Sequence, residues 1–130
     1  MNTNPRESIG VQAETAILVG VRVRGSRMDY ENPLGELAAL AETAGARVVG
    51  ELMQNREAPT GRTYLGKGKV EELAAMVAEL GARVVIFDNE LSPSQIQELE
   101  KEVKVKVIDR SELILDIFAN RATTREAQLQ

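Results

Sequence analysis

Residues 16–21 read Ala16-Ile17-Leu18-Val19-Gly20-Val21, an unbroken apolar run. A run of this length without polar alternation suits a strand covered on both faces, as in a parallel sheet. Working outward, Arg22 to Met28 read as a polar connection, and residues 1–13 as a loose polar tail. Asn32-Pro33 predicts a helix start, because Asn can cap free N–H groups and Pro suits the first turn. Leu34, Leu37, Ala38 and Ala41 follow at helical spacing, and Gly45 closes that helix in the left-handed conformation. Val48-Val49 begins a second strand.

Residues 55–63 read as a mobile loop, rich in turn-forming residues. A helix then carries Val70, Leu73, Ala74, Val77 and Leu80 on one face and stops at Gly81. Val84-Val85-Ile86-Phe87 is a third strand, ending at Asp88. Ser92-Pro93-Ser94-Gln95 has the form of a capping box with Pro at the first helical position. Ile96, Leu99 and Val103 give the helix its apolar face. Val105, Val107 and Ile108 mark a fourth strand, and a short helix covers Glu112 to Phe118. Thr123-Thr124-Arg125-Glu126 reads as a further capping box opening a helix too short to hold itself together, which implies that the polypeptide continues.

Strands alternate with helices throughout, so the expected architecture is α/β. A small, mainly parallel four-stranded sheet has flanking helices and is followed by the start of a helical segment. The boundaries are a polar tail at 1–13, the α/β domain at 14–120 and a helical linker beginning at 121–130. Two segments echo each other: Glu36-Leu37-Ala38-Ala39 recurs as Glu72-Leu73-Ala74-Ala75, and Gly45-Ala46-Arg47-Val48-Val49 as Gly81-Ala82-Arg83-Val84-Val85. Similar helix–Gly–strand units need similar residues, which accounts for the echo without duplication.

The 130 residues suffice for one domain with its own core. Apolar residues make up 43 % and aromatics 3 %, so that core must be built from Val, Ile, Leu and Ala. The absence of Cys and His removes disulfides, thiolate metal sites and every dyad or triad that needs an imidazole or a thiol. No catalytic residue, metal ligand or cofactor is assigned. A net charge of −4 argues against nucleic-acid binding driven by total charge, though not against a local basic patch. No run reaches the ~18 apolar residues of a membrane span, and the first ten residues lack a signal-peptide core. The expected location is the cytoplasm, and the expected state a monomer.

Gly61-Arg62-Thr63-Tyr64-Leu65-Gly66-Lys67-Gly68-Lys69 nearly spells a phosphate-binding loop. Such a loop needs glycines that let N–H groups wrap phosphates, a Lys for the outer phosphates and a hydroxyl for magnesium. Gly68 stands where that hydroxyl belongs, and no buried strand precedes the loop. A weaker anion site could still use Gly66, Lys67, Gly68 and Lys69 at a helix start. The same residues also fit a plain glycine-rich turn with solvated lysines, and the residues alone leave both open. Arg56, Arg62, Lys67 and Lys69 cluster against one nearby acid, Glu57, and form a candidate phosphate contact. Tyr64 could stack on a base, or pack. Asp88 and Asp109 end successive strands, where paired carboxylates could serve a metal or acid–base work. The spacing of Asp109 to Glu112 favours helix capping instead. Asp109 and Arg110 could also form a local ion pair, and Asp116 is expected to face solvent.

Several phrases occur together and in order: Tyr64-Leu65-Gly66-Lys67-Gly68-Lys69, Asp88-Asn89-Glu90-Leu91-Ser92-Pro93-Ser94-Gln95, Asp109-Arg110, Ile114-Leu115-Asp116-Ile117-Phe118 and 121–130. Over residues 15–130 the chain resembles the N-terminal domain of the HflX family of ribosome-associated GTPases. The resemblance implies a small α/β domain followed by a helical hairpin and a GTPase domain. It further implies binding to the large ribosomal subunit and its RNA, splitting or rescue of ribosomes under stress, and, in some members, ATP binding by the N-terminal part. GTP and Mg2+ would belong to the GTPase domain, which is also an expected partner. No second GxxxxGK[ST] and no Asn-Lys-x-Asp motif occur here. The resemblance together with the basic cluster points to a binding module using Arg56, Arg62, Lys67 and Lys69, with Tyr64 beside them; the alternatives are nucleotide binding through the Gly66–Lys69 turn and a scaffold that regulates the GTPase domain, and GTPase activity is not assigned to these 130 residues alone.

Overall fold

The computed structural model describes residues 11, 13–23, 32–56 and 63–129, with side chains as far as 119. Strand β1 (Thr15–Val23) contains the opening apolar run. It is followed by α1 (Gly35–Thr43), β2 (Arg47–Arg56), α2 (Lys67–Leu80), β3 (Val84–Phe87), α3 (Pro93–Val103), β4 (Lys106–Asp109) and α4 (Arg110–Leu129). The four strands form one sheet in the order β2-β1-β3-β4. All three strand pairs are parallel, so the expected α/β class and parallel sheet are borne out.

Side-chain alternation divides the core in two. Ile17, Val19 and Val21 point to the face covered by α2 and α3, where they meet Val85, Phe87, Leu73 and Leu99. Ala16 and Leu18 point to the opposite face and meet Leu34, Leu37, Ile86, Ile108 and Leu113 from α1, α4 and their neighbours. A central strand covered on both sides has no polar face to show, which is why the run is continuous. The connection through α1 steps from β1 to one side, whereas those through α2 and α3 step to the other. Right-handed crossovers then place the helices on opposite faces.

Several local expectations change. Helix α1 starts at Gly35, so the N-cap position falls to Leu34 and not to Asn32. The Asn32 Cγ and Nδ2 instead crowd the space beside Gly35. Strand β2 extends through Asn55 and Arg56, both expected in a loop; residues 57–62 of that loop lie outside the described residues. Helix α4 is one continuous helix, so Thr123 lies inside it and opens nothing. The long helix beginning at Arg110 supplies N–H and C=O partners that a separate helix at 123 would lack. Val11, at the end of the expected tail, is fully buried against the α1/α4 face. The Ser92 capping box is present: Gln95 N–H donates to Ser92 Oγ at 3.2 Å and Ser92 N–H to Gln95 Oε1 at 2.9 Å. Gly45 and Gly81 take positive φ, 88° and 68°. The two echoing helix–Gly–strand units thus share local geometry while their helices lie on opposite faces.

Candidate functional site

The glycine-rich stretch lies where β2 hands over to α2. Leu52, Gln54 and Arg56 share one face of β2 because strand side chains alternate, and Leu52 belongs to the α2/α3 core. This parity aims Gln54 and Arg56 at the incoming turn. Gly66 N–H donates to Gln54 Oε1 at 2.9 Å, and Arg56 Nη1 donates to Tyr64 O at 3.4 Å. A Cβ on Gly66 would stand 3.1 Å from Gln54 Nε2 and 3.8 Å from Arg56 Nη1, so glycine permits this approach. Tyr64 takes positive φ (66°) and packs its partly buried side chain against the α2/α3 core.

Gly66 is the residue before α2 and offers no side-chain cap, and the first turn carries no acidic residue. The N-terminal N–H groups of α2 and the positive end of its dipole therefore face outward beside exposed Lys67. Nothing lies within 4 Å of the space a Cβ would take on Gly68. Lys69 is less available, because its Nζ pairs with Glu72 at 3.0 Å. Arg56, Tyr64, Gly66 and Lys67 thus come together, whereas Arg62 lies outside the described residues. The turn differs from a phosphate-wrapping loop in that the Gly66 N–H is committed to Gln54 and no hydroxyl follows Lys67.

The carboxyl edge of the sheet holds the other candidates. Asp88 accepts from Arg110 Nη1 at 3.2 Å, and Arg110 Nη2 donates to Glu36 on α1. Arg110 thus ties the start of α4 to the end of β3 and the start of α1; it does not pair locally with Asp109. Partial burial works against the Arg110 charge, but hydrogen bonding and attraction from Glu36, then Asp88, hold its pKa above the ordinary value. Asp109 caps α4, its Oδ1 accepting from Glu112 N–H at 3.0 Å, while Oδ2 accepts from Leu91 N–H at 3.1 Å. With Asp88 and Asp109 so engaged, they form no reactive pair. No group of three or more metal-ligating side chains occurs among the described residues. Asp116 is buried rather than solvent-facing, with Oδ2 3.4 Å from the N–H of Val11. The buried N–H of Val11 needs an acceptor, and α4 supplies it.

Three structural residues escaped the sequence reading. Asn89 brackets Val21, accepting from its N–H at 2.8 Å and donating to its C=O at 3.0 Å. Gln54 escaped because the second strand is read only from its start at Val48-Val49, which does not show which face Gln54 takes. Lys106 is buried at 3 % exposure and pairs with Glu14. The alternation Val105-Lys106-Val107 was the available signal for it. No helix among the described residues is long and apolar enough to cross a membrane.

The family model described as GTP-binding GTPase N-terminal matches residues 31–119. A GTPase HflX of Alkalihalophilus pseudofirmus is 48 % identical over 117 residues, which cover 90 % of this chain and 28 % of that protein. A GTPase HflX of Escherichia coli is 42 % identical over 117 residues, covering 90 % of this chain and 27 % of that protein. The chain therefore spans little more than a quarter of the length of these relatives. A GTP-binding protein of Sulfolobus solfataricus, solved in complex with GDP, shares the fold with a TM-score of 0.58 at 23 % identity, over 82 % of this chain and 30 % of the other. A family model that covers most of the α/β domain, with relatives matched only over their corresponding portion, leads to one conclusion: the chain belongs to the GTP-binding GTPase N-terminal family and corresponds to the N-terminal domain of HflX GTPases.

Proposed function

We propose that this chain is the ribosome-contacting module of an HflX-type GTPase and binds RNA of the large ribosomal subunit through Arg56, Arg62, Lys67 and Lys69, with Tyr64 beside them. The observation carrying this reading is the uncapped start of α2, free of acidic residues, with Lys67 exposed and Arg56 held next to Gly66. Phosphate oxygens suit such a surface, since helix N-termini and guanidinium groups both favour negative charge. A domain of net charge −4 binds RNA only where its positive groups are gathered locally. In this reading GTP hydrolysis, with Mg2+, belongs to a GTPase domain in the part of the relatives that this chain does not span. That domain is also its intramolecular partner, and the whole protein acts as a monomer in the cytoplasm to split or rescue ribosomes under stress.

Co-sedimentation of the chain with large subunits across a salt series tests the reading. Binding should fall with salt by roughly 0.7–0.9 logarithmic units per phosphate contact per logarithmic unit of salt. Replacing Arg56, Arg62, Lys67 and Lys69 together by Ala should abolish it. Unchanged pelleting of that variant would end the assignment. A nucleotide-binding reading through Gly66, Lys67, Gly68 and Lys69 draws on the same outward N–H groups. Commitment of the Gly66 N–H to Gln54 weighs against it. Calorimetry with ATP and GTP, with and without magnesium, separates the two.

A further inference from the structure

A cleft of about 280 Å³ lies beside edge strand β4, between α3 and the first turn of α4. Leu91, Pro93 and Ile96 form its apolar wall, and Glu100, Asp109 and Glu112 line it with carboxylates. Leu91 and Ile96 are 9 % and 8 % exposed, so the wall is rigid core surface rather than loose chain. Backbone donors fix two of the carboxylates: Asp109 by Leu91 and Glu112, and Glu100 Oε2 by the Val107 N–H at 3.0 Å. No lysine or arginine lines the cleft. Outside the cleft the exposed charges are mixed, with Glu90 and Glu102 alongside Lys104 and a Lys101 that pairs with Glu98.

The occupant follows from these constraints. Glu100 already takes an N–H of β4, the strand at this edge of the sheet, so an added strand would have to displace it. Anionic backbones are repelled by the carboxylates. A lysine or arginine side chain fits both parts of the lining, its methylene stem on the apolar wall and its cationic head at the carboxylates. We infer that this cleft docks a basic segment of a protein partner by receiving one of its lysine or arginine side chains. The domain would thus carry two poles of opposite recognition, phosphate at the start of α2 and basic protein at the α3–β4 cleft. The second does not depend on the first.

The test titrates the isotopically labelled 130-residue chain, at low salt, with an acetylated hexapeptide alternating lysine or arginine with leucine. Amide shifts should saturate and centre on Leu91, Ile96 and Asp109. The double variant Glu100→Gln, Glu112→Gln keeps an acceptor for Val107 and should bind at least about fivefold more weakly, with a well-dispersed spectrum reporting that it folds. A peptide with norleucine replacing each cation should not bind. Absence of shifts at about 1 mM peptide, equal affinity of the double variant, equal binding of the norleucine peptide, equal binding of spermidine, or seating of a uridine decamer on the same residues would each overturn the proposal.

Discussion

The ammonium of Lys106 lies 3.0 Å from the carboxylate of Glu14, with 4 % of the lysine side chain exposed. The pair joins strand β4 to the residue that leads into β1, the two strands being separated by β3 in the sheet. A cation this buried depends on its partner charge. Glu14→Gln should destabilise the domain by roughly 1–3 kcal/mol, below the full cost of stripping a buried pair because Glu14 retains some solvent contact. Lys106→Met should cost less, since it removes the buried charge along with the need to match it. Urea denaturation of both variants checks the order; a costlier Lys106→Met would contradict it.

Arg110 pairs with Asp88 and Glu36, and its pKa is raised above the ordinary guanidinium value. A raised cation contributes stability that is complete below its unfolded pKa and lost only as pH rises through the folded one. Both lie beyond ordinary alkaline conditions, so the Arg110 contribution should stay constant between about pH 7 and 10. Arg110→Met should cost about 0.5–1 kcal/mol, a size set by solvent around Glu36. Denaturation midpoints of both proteins at several pH values in that window check the flat difference.

Removing Ser92 Oγ breaks both the capping of Gln95 N–H and its contact with Ser94. Ser92→Ala should lower stability by about 1 kcal/mol. Hydrogen exchange should accelerate first in the opening turn of α3, while β1 amides keep their protection.

Gly68 sits inside the first turn of α2 with open space around it. Gly68→Ala should therefore stabilise the domain by about 0.5–1 kcal/mol, as Ala is the better helix former. If phosphate approaches closely there, the same change weakens large-subunit binding. Greater stability with reduced pelleting would separate a ligand role of this glycine from a folding role.

Leu73 and Leu99 are fully buried, whereas Leu115 is 66 % exposed. Leu73→Ala or Leu99→Ala should cost about 2–5 kcal/mol, and Leu115→Ala should stay within about 0.5 kcal/mol. Thermal unfolding of the three variants tests the division of the helix faces.

The sequence by itself determined the class, the order of strands and helices as far as β4, and the helix stops at Gly45 and Gly81. An apolar run without alternation demands a doubly covered strand, and Gly45, Gly81 and the Ser92–Gln95 box act through local backbone chemistry that needs no distant partner. The ordered phrases also placed the chain in its family. Tertiary structure alone decided what depends on partners far away in sequence. Arg110 chose Asp88 and Glu36 over its neighbour Asp109, and Val11 drew Asp116 inward. Gln54 took the Gly66 N–H because β2 carries it to the turn that precedes α2. A charged or amide side chain has many partners of similar local merit, and the packing of strands and helices selects the one it can reach.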